Sequence, residues 1–81
     1  MIVERIISRF EIVSEELLEE INIDNIGLDT LKQIFNPMEN DPLMYNPYTI
    51  HAQEAKELAN LIDVQFDLDK FFYQVDCFQI Q

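Results

Sequence analysis

Few residues in this chain could do chemistry, and they do not form a recognised pattern. His51 is the single histidine and Cys77 the single cysteine. A Ser-His-Asp or Cys-His mechanism would have to pass through His51, which opens a helical stretch, whereas Cys77 falls within an alternating apolar run. The residues read as a helix-start residue and a core cysteine. One histidine and one cysteine also fall short of a conventional zinc set. Asp63, Asp67 and Asp69 have a superficial calcium-like spacing, but the central glycine and final bidentate glutamate of a calcium loop are missing. The glutamates at 15, 16, 19 and 20 read as a solvated face. Gly27 is the only glycine, so no glycine-rich phosphate cradle exists. The expectation is a protein that is not an enzyme, with no catalytic residue, no metal and no cofactor.

What remains is charge. Sixteen acids oppose five bases, a net charge of −11, on a chain that is 48% hydrophobic. A disordered acidic tail lacks that apolar content, so this is a folded domain with a negative surface. Such a surface repels nucleic acid and anionic lipid and attracts cationic proteins. Two groups of acids lie beside aromatics. Glu39 and Asp41 precede Tyr45 and Tyr48; Asp67 and Asp69 precede Phe71, Phe72 and Tyr73. Tyrosine is enriched at binding hot spots, and carboxylates match a basic partner. Glu39, Asp41, Tyr45, Tyr48, Asp67 and Asp69 are therefore the candidate partner-binding residues.

The elements that must position them follow from periodicity. Ile2 to Val13 alternates and is apolar on both parities, which suits a central strand. Ser14 to Ile23 supports a helix by local propensity and a strand by period two. The strand is preferred, because a turn at Ser14-Glu15 closes a hairpin with the first strand. Asp24-Asn25 is expected to cap a short helix whose Leu28, Leu31, Ile34 and Phe35 share a face, ended by Asn36-Pro37. Residues 36–49 hold all three prolines and read as a loop folded back on the body. His51 to Ile62 is a helix with Ala55, Leu58, Ala59 and Ile62 inward and Glu54 completing a box-like start. Phe66 and Leu68 are anchors, and Lys70 to Ile80 is a second strand. The order is strand, strand, helix, helix, strand. This is an α+β domain with a three-stranded antiparallel sheet and both helices on one face.

One domain spans residues 1–81. Its stability is expected on the order of 4–8 kcal/mol. Charged residues interrupt Met1–Val13, so no signal peptide is read there. No apolar run reaches the roughly 20 residues of a spanning helix. The expected location is the cytoplasm.

The run Asp41-Pro42-Leu43-Met44-Tyr45 is followed by Tyr48, a helix and the Phe71–Asp76 strand, and is preceded by a Glu20-Ile21-Asn22-Ile23 hairpin and a leucine-bearing helix ending near Phe35. In this order of elements the chain resembles small acidic bacterial immunity proteins of the contact-dependent growth inhibition type. Its Leu43-Met44-Tyr45 step is longer than the Met-Tyr step of that pattern. The resemblance implies a stoichiometric inhibitor that binds a cognate toxin domain, a basic nuclease being the natural target, with oligomeric state open. The rival readings are a nucleic-acid mimic that inhibits a DNA-binding defence protein, and a small acidic adaptor.

Overall fold

A computed structural model describes residues 2–80. Its elements are β1 (Val3–Glu11), β2 (Leu17–Asn22), α1 (Leu28–Phe35), β3 (Tyr48–Thr49), α2 (Ala52–Ala59) and β4 (Phe71–Gln79). The sheet runs β2-β1-β4-β3, and every neighbouring pair is antiparallel. The architecture is α+β as expected, but the sheet has four strands, not three. The fourth strand lies inside the proline loop: Tyr48 and Thr49 pair with Val75 and Gln74 of β4. Two residues between Pro47 and α2 are too short for their alternation to register as a strand.

The first and last long strands are neighbours across nine paired positions, from Val3 opposite Gln79 to Glu11 opposite Phe71. This explains the apolar content of both: each is flanked on both edges, and β1 lies between β2 and β4. The hairpin forms in preference to the competing helix at 17–22. Glu15 takes a left-handed φ of 60° in its turn, and the Glu11 N–H donates to the Glu16 carbonyl. A bulge between Arg9 and Phe10 offsets the register, which adds local twist.

Residues of one parity face the helices. Ile7, Tyr73 and Val75 join Leu31, Ala55, Leu58, Ile23, Ile26, Met44 and Ile50 in one buried cluster, with Phe66 and Leu68 packed against it. Ala59, expected to face inward on α2, is exposed. Asp24 and Asn25 do not cap α1; Gly27 occupies that position. The Asp24 carboxylate instead accepts the Arg5 N–H at 2.9 Å and the Asn22 side-chain amide at 3.2 Å, tying the end of β2 to β1. At α2 the expected start is formed: the Glu54 carboxylate accepts the His51 N–H at 2.8 Å. Among the described residues no helix is long and apolar enough to cross a membrane.

Candidate functional site

The proline loop is built around Asp41. Its carboxylate accepts the N–H groups of Tyr45 at 2.9 Å and Asn46 at 3.1 Å, and the Tyr48 hydroxyl. A short acid followed by tyrosines at i+4 and i+7 thus closes the loop on itself. Asp41 is buried at 6% exposure, and Tyr48 packs edge-on against Phe35. These two candidate residues are turned inward: they shape the loop, and their polar atoms are engaged with one another. Glu39 and Tyr45 remain exposed.

The pair leaves a clear electrostatic signature. The Tyr48 hydroxyl, with the two backbone N–H groups, holds the Asp41 carboxyl below the usual carboxylate range. Burial, then the bond to Asp41, pushes the Tyr48 phenol up to about 12. A raised phenol contributes stability that is present below about pH 10, its unfolded value, and lost as pH rises through about 12. In Tyr48→Phe, alkaline unfolding followed by circular dichroism should lose that component. A lowered carboxyl contributes stability present above about pH 4 and lost as pH falls through its folded value. Asp41→Asn should therefore melt lower at neutral pH and show a shallower decline on acidification. An unchanged acid profile would mean that the loop does not depend on the carboxylate.

The second group has a different setting. The Asp67 N–H donates to the Tyr73 hydroxyl at 3.1 Å, and the Asp67 carboxylate accepts the Asp69 N–H at 3.3 Å. Phe66 meets Tyr73 edge-on, with ring centroids 4.9 Å apart. Asp67 is half-buried and Asp69 exposed. The Asp67 carbonyl also accepts the Phe71 N–H, and Phe71 lies opposite Glu11. This segment therefore adjoins the hairpin end of the sheet. Register and connectivity place Glu11, Glu15, Glu16, Glu19, Asp67 and Asp69 toward that end, with Arg9 and Lys70. Arg9 is already engaged, 3.5 Å from Glu19 and stacked on the Phe71 ring at 4.6 Å.

The proline loop lies at the opposite end, where the Arg5 guanidinium donates to the Leu43 carbonyl at 2.7 Å and Arg5 pairs with Cys77. Phe71 and Cys77 are roughly 20 Å apart at the rise of a strand, and Tyr48 pairs with Val75 between them. The six candidate residues thus form two separate groups and do not converge on one pocket. Sequence spacing did not reveal this, because the separation is created by β4 running between them.

Two further placements bear on chemistry. Burial pushes the Cys77 thiol up, away from the reactive thiolate, and His51 is exposed at the N-cap of α2. An open groove of about 610 Å³ lies between α2 and residues 64–68, lined by Ala52, Ala55, Lys56, Ala59, Phe66 and Leu68 among others. Among the described residues no three His, Cys, Asp or Glu side chains are placed to hold a metal ion.

Local pattern did not single out Ser8, Gln74 and Asp76. Ser8 is 1% exposed and Asp76 8%. The Ser8 hydroxyl donates to one Asp76 oxygen at 2.6 Å, and the Gln74 amide to the other at 2.9 Å. A Ser8–Asp76 pair 68 residues apart becomes visible only when β1 and β4 are known to be neighbours.

No curated protein and no solved structure matches the chain. A family model described as a domain of unknown function (DUF7683) matches residues 4–76. That match runs from β1 into β4 and takes in both helices, and the chain belongs to this family.

Proposed function

We propose that the chain is an immunity-type inhibitor: a small cytoplasmic protein, not an enzyme, that binds a basic toxin domain one to one and blocks it. A nuclease is the natural target, since a surface that grips phosphates is basic. The observation that carries this reading is the placement of Glu11, Glu15, Glu16, Glu19, Asp67 and Asp69 toward one end of the sheet, on a chain with a net charge of −11. A concentrated negative field speeds encounter with a cationic surface. A nucleic-acid mimic would need carboxylates laid out in an extended, phosphate-like row; six of the sixteen acids stand toward the hairpin end, an arrangement that favours the toxin partner.

Co-expression with the protein encoded immediately upstream tests the proposal. The expected result is a 1:1 complex and loss of that protein's toxicity. Intact toxicity and separate elution on gel filtration would refute it. Within a complex, alanine at Glu39, Tyr45, Asp67 or Asp69 should weaken binding with little change in Tm. Alanine at Asp41 or Tyr48 should lower affinity only together with Tm, because those side chains act through the loop they close. Unequal affinity losses at equal Tm, measured by calorimetry, separate the two behaviours.

A further inference from the structure

Both helices cover the same side of the sheet, the side of Ile7, Tyr73 and Val75. The register places the other parity on the opposite side. Ser8 stands between Glu20 and Gln74, Ile6 between Asn22 and Asp76, and Phe10 opposite Phe72. No helix belongs to this side. Ile6 is buried at 5% exposure, yet it stands outside the core cluster, so its neighbours on the open side shelter it. Phe10 and Phe72 stack with centroids 4.7 Å apart, and Phe78 is 47% exposed. Phe10 and Phe72 are half-buried beside the exposed Phe78, and partly exposed aromatics on a sheet face that carries no helix mark an interaction site.

The charge of the face decides what covers it. Glu4, Glu20 and Asp76 share it, whereas Arg5 and Arg9 have the other parity and Lys32, Lys56 and Lys70 lie off the strands. Asp76 is the central feature. It is a nine-tenths-buried carboxylate on an aromatic-flanked surface, with one side-chain donor for each oxygen. A carboxylate has about four acceptor sites, and a guanidinium satisfies two oxygens at once. A second copy of the chain is a poor occupant: two such faces would bring Glu4, Glu20 and Asp76 against their own counterparts with no cation between them.

We infer that the helix-free face of the sheet docks a cationic, partly apolar protein segment, with an arginine set over Asp76 and apolar side chains against Phe10, Phe72 and Phe78. The inference rests on the inhibitor reading only for the partner's identity; the face and its chemistry stand on the geometry above. On this view the acids at the sheet ends guide the approach, and the open face holds the complex.

The test uses the full ¹⁵N-labelled chain and a blocked peptide alternating arginine with leucine. A control peptide carries norleucine in place of arginine. Binding of the arginine peptide should shift the amide signals of Ser8, Gln74 and Asp76 far more than those of residues 15–19 and 67–69. The norleucine peptide should bind at least tenfold more weakly. Asp76→Asn should raise the arginine peptide's Kd at least tenfold. Gln74→Arg, which supplies a guanidinium from within, should do the same without loss of folding, and so covers the case in which Asp76→Asn unfolds. Asp67→Asn with Asp69→Asn should leave the Kd within about twofold at 0.15 M salt, where screening acts within about 8 Å.

Equal binding of the two peptides, shifts confined to the sheet ends, or an unperturbed Kd in both Asp76→Asn and Gln74→Arg would overturn the inference. So would a dimer formed through this face in sedimentation experiments. If the upstream-encoded protein binds but the two variants bind it normally, this inference fails and the inhibitor reading stands. If the peptide seats on the face while the upstream protein does not bind, the reverse holds.

Discussion

Tyr73→Ala is expected to remove most of the chain's stability and to lower its urea midpoint steeply. Tyr73 is 1% exposed near the start of β4. Its ring meets Phe66 and Phe71 edge-on, and its hydroxyl accepts the Asp67 N–H. Removing a buried aromatic costs about 3–5 kcal/mol through lost burial and the cavity left behind. For a chain whose stability is on the order of 4–8 kcal/mol, that is most of what is present. The loss is compounded by topology, because the residue anchors the segment entering β4, and β4 holds β1 on one side and β3 on the other. Tyr73→Phe keeps the packing and forfeits only the hydrogen bond, for about 1 kcal/mol. Its effect should concentrate in faster amide exchange at Asp67 and its neighbours. A cooperative urea transition for Tyr73→Ala with a midpoint near wild type would show that the core does not depend on this ring.

The second large effect concerns rate. Neutralising Glu15, Glu16, Asp67 and Asp69 together as amides should slow association with a basic toxin domain by about 10–100-fold at low ionic strength, with dissociation nearly unchanged. These residues share the hairpin end of the sheet, so their fields add in one direction. The difference from wild type should shrink as salt rises, since the screening length falls from about 30 Å at 0.01 M to about 3 Å at 1 M. Asp29→Asn with Glu57→Gln, on the helices, should slow association much less per charge removed. Stopped-flow mixing across a salt series measures this. Equal slowing per charge in both variants would mean that net charge alone acts and that the acidic end has no directing role.

The interface expectation and the structure part at Asp41. An acid next to two tyrosines has the composition of a binding patch, and it also has the composition of a closed loop. Sequence spacing contains both. The choice depends on whether Tyr48 pairs with β4, because that pairing sets its ring against Phe35 and brings its hydroxyl to Asp41. Asp67 and Asp69 had no such competing use for both side chains, and Asp69 stays at the surface where the sequence placed it.

What the sequence determined by itself is local in origin. Alternation in β1 and β4, the helical spacing of Leu31 and of Ala55 with Leu58, the stop at Asn36 and the capping carboxylate of Glu54 all arise from contacts within a few residues. The excess of carboxylates is likewise present in composition and needs no fold. The tertiary structure decided the rest. Both parities of β1 are apolar, so no local rule states which side meets the helices. That choice was made by Ile7, Tyr73 and Val75 packing against Leu31 and Leu58, and it left Ile6, Ser8, Phe10 and Asp76 on the open side. The pairing of the chain's first and last long strands then set the two acid groups toward opposite ends of the sheet and brought Ser8 to Asp76. Both outcomes depend on contacts between residues far apart in the chain, where a period of two carries no information about the partner.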